Sequence, residues 1–222
     1  MPAHRHLRLN FLTETLREAI AFDYIAIGGL DIDGFQFSTG RSVDSDMPPL
    51  MLESYFGRDF YLGDPVAIHS RQRGKVITEE EAYDLSTPAS GLRDLMQRFD
   101  IHNRTVFPIS RGDTVYGCVV LTRNVRFSND EMQFLSFVAQ PLHTAMTKPL
   151  MKRFAAQQHN LSSGEILCLQ YASDGLTSED IAARSGYQIM TVNSYIKSAV
   201  KKLNAANRCQ AVAEAIRRGL VD

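Results

Sequence analysis

No tryptophan occurs anywhere in the 222 residues, so no indole N–H is available to hold a buried carbonyl. Cysteine is nearly as sparse. Cys118, Cys168 and Cys209 are an odd number, widely spaced, each inside an apolar stretch. That pattern offers neither a disulfide framework nor zinc spacing and reads as buried, reduced thiols. The histidines are scattered, the closest being His4 and His6 near the start, and no metal site is expected. No apolar run approaches the ~18 residues of a membrane span. The opening MPAHRHLRLN lacks a signal-peptide core, so the chain reads as soluble and cytoplasmic, with no membrane partner. No nucleophile–base pair stands at a recognisable spacing and no glycine loop suits phosphate, which argues against an enzyme.

Acidic residues are also missing from one particular place. Between Thr191 and Arg208 the charged residues are Lys197, Lys201, Lys202 and Arg208, all basic. Such a surface attracts polyphosphate, because each neutralised phosphate releases condensed counterions. The small net charge of −1 hides an asymmetry: residues 1–149 hold 15 basic and 19 acidic side chains, residues 150–222 hold 9 and 6. Length suggests about two modest domains, and a mildly acidic front with a basic back suits a regulator.

Along the front half, Leu7, Phe11, Leu12, Leu16, Ala19 and Ile20 fall at helical spacing. Two β-rich runs follow, Tyr24–Leu30 and Phe35–Ser38, around an Asp31–Gly34 turn. Pro48-Pro49 starts a helix through Leu52, Tyr55 and Phe56, and Asp64-Pro65 reads as an N-cap with proline at the first helical position. Glu79-Glu80-Glu81 reads as a solvated helix start, and another helix is expected from Pro88 to Phe99. Thr105–Ser110 and Val115–Arg123 read as a hairpin across Arg111–Thr114. Ser128–Glu131 caps a long helix that Pro141 should kink. This order predicts an α+β protein whose front domain, residues 1–149, is an α/β/α sandwich around an antiparallel sheet. Residues 150–160 read as a linker, and residues 161–222 as an all-α, four-helix helix-turn-helix domain.

In that back domain, Ser162 and Glu165 stand in capping-box register, as do Thr177 and Asp180, with Gly175 and Gly186 ending the helices they start. Val192, Ile196, Ala199 and Leu203 fall at i, i+4, i+7 and i+11, one apolar stripe. Asn193, Lys197 and Lys201 lie on another face. A helix so divided can enter a major groove, although the same lysines also suit a solvated surface helix. Leu161, Glu165, Leu167, Leu169, Gly175, Ile181-Ala182, Thr191-Val192, Ile196, Lys202-Leu203, Asn207-Arg208, Gln210-Ala211-Val212, Ala215 and Gly219-Leu220 stand at spacings that together resemble the LuxR-type DNA-binding domain. Tyr195 stands where histidine is frequent in that family, and Gln188 where a serine cap is usual. The resemblance implies double-stranded DNA as partner, with Asn193 and Lys197 reading bases and Thr191, Ser194, Lys201, Lys202 and Arg208 holding phosphates. It also implies pairing through the last helix by Val212, Ala215 and Ile216, a face that could equally pack within the domain.

The front half lacks the acidic first strand end of a phosphoreceiver. Met51, Tyr55 and Asp64-Pro65 instead resemble the Trp-x3-Tyr-x8-Asp-Pro pattern of the acyl-homoserine-lactone (autoinducer) binding domain, and Gly117 suits that family's late-strand glycine. The resemblance implies a buried Asp64 accepting a ligand amide N–H and Tyr55 donating to an acyl carbonyl. Asp64 reads equally as a plain N-cap, and Tyr55 as core. Met51 takes the place of the indole, and a thioether cannot donate a hydrogen bond. No cofactor is required. The signal is an acyl-homoserine lactone anchored differently, another small apolar molecule, or none. The chain thus reads as a dimeric, quorum-sensing-like transcriptional regulator. The alternative is a ligand-independent protein acting by heterodimerisation with, or inhibition of, another LuxR-type regulator.

Overall fold

The computed structural model describes residues 10–30 and 43–222, so His4, His6, Leu7, the Asp31–Gly34 turn and the Phe35–Ser38 strand lie outside the described residues. The chain divides into two compact units, Met1–Met146 and Thr147–Asp222. The first opens with α1 (Phe11–Ala19), whose N-cap Asn10 accepts from the Leu12 amide. There follow β1 (Tyr24–Gly28), β2 (Val43–Ser45), α2 (Pro49–Gly57), the single turn α3 (Phe60–Gly63), α4 (Pro65–Arg73), β3 (Ile77–Thr78), α5 (Glu79–Leu85), α6 (Ser90–Arg98), β4 (Thr105–Arg111), β5 (Thr114–Thr122) and α7 (Asn129–Gln158).

The described strands form one antiparallel sheet in the order β2-β1-β5-β4-β3. The middles of β1, β4 and β5 are apolar on both faces because both faces are covered. Ile25, Ile27, Phe107, Ile109, Val119 and Leu121 point to one side, where Leu16 and Ile20 from the α1 end and Leu135, Ala139 and Leu142 of α7 meet them. The alternate residues point to the other side. There Ala26 meets Met47, Met51 and the α6 residues Leu92, Leu95 and Met96, while Val106 and Cys118 meet Val66 of α4 and Ala82 of α5. Strand alternation thus sorts one sequence into two cores, the expected α/β/α sandwich. Each Leu or Ile so buried contributes about 1.5–3 kcal/mol against exposure.

α7 differs from expectation. It continues through Lys148-Pro149 to Gln158, so most of the 150–160 linker segment is helix. Each proline removes only one i→i−4 bond from a helix of 30 residues. Its last turns have a reason to persist, since Ala155 and Ala156 pack into the core of the second unit. No described helix is long and apolar enough to cross a membrane.

The start of α7 is organised by Arg123, at the end of β5. Its guanidinium donates to both Glu131 oxygens at 2.9 and 2.5 Å and lies 4.1 Å over the Phe127 ring. Glu131 also accepts the Ser128 amide at 2.7 Å, which completes the expected cap. The Arg123 hydrogen bonds, then that of Ser128, pull the Glu131 carboxyl from its ordinary 4.5 down to about 2. A carboxylate depressed in the folded state stabilises fully above its unfolded pKa, and that contribution is lost as pH falls through the folded value. Glu131→Gln should therefore lower the urea midpoint at pH 7, and the gap from the unsubstituted protein should close between pH 4.5 and pH 2. A gap that stays constant down to pH 2 would show that the charge of Glu131 does not act.

Candidate functional site

The second unit carries α8 (Ser163–Ser173), α9 (Ser178–Ser185), α10 (Ile189–Lys202) and α11 (Arg208–Arg217) after the end of α7. Both expected capping boxes form: Ser162 with Glu165, and Thr177 with Asp180. Gly186 closes α9 at φ 74°, a left-handed turn that an L side chain resists. Asn207 caps α11 by accepting the Gln210 amide at 2.9 Å, while Gln210 reaches back to the Ala206 amide.

α10 is divided as its periodicity predicts. Val192, Ile196, Ala199 and, at the C-cap, Leu203 are buried, whereas Asn193, Ser194, Lys197 and Lys201 are exposed and Thr191 is half-buried. Gln188 makes no side-chain cap, so the first turn of α10 keeps amide donors for another partner. At that end Met190 is 82% exposed and Ile189 44%, apolar groups on the same rim as Asn193 that the sequence reading passed over. Asn193 Oδ1 accepts from the Ser178 hydroxyl at 2.8 Å, which holds the carboxamide toward the first turn of α9.

The other basic residues have structural work. Lys202 Nζ lies 2.8 Å from both oxygens of Glu165. Glu165 is 3% exposed; burial alone would raise its pKa, but hydrogen bonds from Lys202, Ser198 and the Ser162 amide lower it. Lys202, expected on a phosphate, is thus held in an ion pair that ties α10 to α8. Arg208, also expected on a phosphate, donates to the Leu176 carbonyl at 2.5 Å and to Ser178 Oγ at 3.5 Å. It braces the turn between α8 and α9 and lines a surface depression with Ser178 and Asn193. Of the pairing face on α11, Ala215 is fully buried in its own unit and Val212 packs beside it, leaving Ile216 at 49% exposure. Tyr195, half-buried, lies edge-on to Tyr187 at 5.4 Å and covers Gly164, where any Cβ would stand 2.8 Å from its ring.

In the first unit two of the three pocket-type residues, Tyr55 and Asp64, come together around a group the sequence does not mark, while Met51 lies in the neighbouring apolar layer. Asp64 caps α4 through the Val66 amide at 3.1 Å, and it also accepts the Tyr55 hydroxyl at 2.8 Å. Its main partner is Arg104, just before β4, whose Nη1 and Nη2 lie 2.6 and 3.3 Å from the two Asp64 oxygens. Arg104 Nε donates to Glu79 at 2.8 Å and Nη2 to the Tyr83 hydroxyl at 2.8 Å. Both Asp64 and Arg104 are buried, at 1% and 5% exposure. Glu79, read as part of a solvated helix start, instead turns into this cluster; Glu80 pairs outward with Arg126 and Glu81 caps Thr78. Burial would lower the Arg104 pKa, yet Asp64 and Glu79 hold it well above its ordinary value. Burial, then the charge of Asp64, raises that of Tyr55. Tyr83 is raised by burial to about 12. Met51 is 2% exposed and sits in the apolar layer among Leu92, Leu95 and Met96. Gly117 lies under His143, where a Cβ would meet the imidazole at 2.5 Å.

Residues 9–146 match the autoinducer binding domain family. Residues 159–215 match the bacterial regulatory proteins, luxR family. The transcriptional activator protein RaiR of Rhizobium etli is 29% identical over 168 residues, covering 72% of this chain and 69% of its own length. The HTH-type quorum sensing-dependent transcriptional regulator VjbR of Brucella abortus is 26% identical over 206 residues, covering 83% and 76%. The crystal structure of Escherichia coli SdiA aligns with 99% of this chain and 92% of its own at 18% identity and a TM-score of 0.50, a likeness of fold. With one family spanning the sheet and its helices and the other spanning α8 to α11, the chain belongs to the LuxR-type DNA-binding transcriptional regulators that carry an autoinducer binding domain.

Proposed function

We propose that this regulator acts in the cytoplasm as a dimer and reads its operator with α10 in the major groove. Asn193 and Lys197 face base edges, while Ser194, Lys201 and the half-buried Thr191 meet phosphates. The division of α10 into a buried apolar stripe and an exposed Asn193–Lys197–Lys201 row carries this reading. An amide can pair bidentately with adenine and an ammonium can donate to guanine, so the row supplies discriminating chemistry. Asn193 must release Ser178 to present both its carbonyl and its amide. Met190, at the rim of the same surface, offers an apolar contact for a thymine methyl. Lys202 and Arg208 belong to the scaffold that sets the row in place.

Self-association finds support in α7, where Phe134 and Phe137 are 44% and 80% exposed, one helical turn apart.

Three lysine variants separate reading, holding and scaffolding, using duplexes selected from a randomised pool by the unsubstituted protein. Lys197→Ala should weaken binding to the selected site by ~1–3 kcal/mol and relax preference at one base pair. Lys201→Ala should weaken all duplexes alike and reduce the slope of log K against log salt by ~1. Lys202→Ala should chiefly lower the melting temperature, since it strands the buried Glu165. Unchanged selectivity for Lys197→Ala would remove it from the base-reading set. For the dimer, Phe137→Glu is expected to shift the sedimentation coefficient from dimer to monomer at micromolar protein. A dimer as tight as before would place the interface elsewhere.

A further inference from the structure

The buried polar cluster of the first unit is complete without any added molecule. A carboxylate has about four acceptor positions, and Asp64 receives four donors: the Val66 amide, the Tyr55 hydroxyl, and Nη1 and Nη2 of Arg104. The guanidinium in turn gives Nε to Glu79 and a second Nη2 hydrogen to Tyr83. A ligand amide seeking Asp64 would have to displace a charge-assisted, two-pronged contact. It would leave Asp64 and Glu79, at 2% and 15% side-chain exposure, without their cation. A neutral amide brings no charge to replace it.

We infer that Arg104 is a built-in occupant of the autoinducer-type anchor, so that the front domain folds and the regulator works with no signal molecule at Asp64. The inference rests on the reading of Asp64 and Tyr55 as the ligand-anchoring pair and extends it: the donor the anchor calls for is supplied by the chain itself. It also defines a latent site. Removing the Arg104 side chain vacates a slot shaped and charged for a guanidinium ion, bounded by Asp64, Glu79, Tyr55 and Tyr83.

The test uses the full-length protein and its Arg104→Ala variant, both expressed without lactone, with melting temperature and operator binding read on the same samples. N-octanoyl-homoserine lactone should leave the melting temperature of the unsubstituted protein unchanged. A ligand at about a hundred times its Kd would raise it by roughly 5–10 °C. Arg104→Ala should melt well below the unsubstituted protein. Low-millimolar guanidinium chloride should recover part of the loss, while sodium chloride at equal ionic strength should not. A lactone-induced rise that Asp64→Asn abolishes would overturn the inference. So would an Arg104→Ala protein as stable as the original, or recovery by both salts alike. Should Arg104→Ala fail to fold, the lactone titration of the unsubstituted protein and the stability of Arg104→Lys, which keeps the charge but not the fork, decide in its place. Lactone-dependent operator binding would sink the inference and leave DNA reading intact; no operator binding in any sample would sink DNA reading and leave the melting comparison standing.

Discussion

Asp64 and Glu79 can be sealed against the sheet only if a cation is sealed with them. Isolated carboxylates cost several kcal/mol to remove from water, and Arg104 offsets that cost with hydrogen bonds to both. Its partners come from separate elements: Tyr55 from α2, Asp64 from the cap of α4, Glu79 and Tyr83 from α5. One planar group at the head of β4 therefore fixes the placement of the helices on that face. Apolar packing of Val66, Ala82, Val106 and Cys118 fills the layer beside it. Burial also drives the Cys118 thiol up to about 12, which keeps it protonated and inert there.

The second unit follows the same logic with weaker burial. Its basic residues divide into two populations that a net charge cannot distinguish. Lys202, exposed but ion-paired with Glu165, ties α10 to α8, and the half-buried Arg208 ties the start of α11 to the Leu176 carbonyl. Lys197 and Lys201 are left facing out. Two of the four basic residues between Thr191 and Arg208 thus have partners within the unit.

What was legible in the sequence was local. The apolar stripe of α10, the capping boxes at Ser162 and Thr177, the Asp64-Pro65 helix start and the β4–β5 hairpin all depend on residues within one or two turns of each other. Asp64 and Arg104 are 40 positions apart, and no spacing rule pairs them. An arginine at the head of an apolar strand was the available sign. Glu79 was misread because three successive glutamates look alike in sequence, while the helix turns one of them into the cluster. The helical course of 150–158 was hidden by Pro149, whose local preference is overruled by the docking of Ala155 and Ala156. The exposed Met190 escaped notice because periodicity marks apolar residues for burial.

The Tyr195 ring resting on bare Gly164 backbone carries one more consequence. Successive residues advance around a helix by about 100°, so a small rolling of α10 would swing Asn193 and Lys197 out of alignment together. A phenol lodged in a notch that only a hydrogen atom leaves open acts as a rotational stop. The presentation of Asn193 and Lys197 proposed for base reading then depends on Gly164, a residue in another helix that has no side chain of its own.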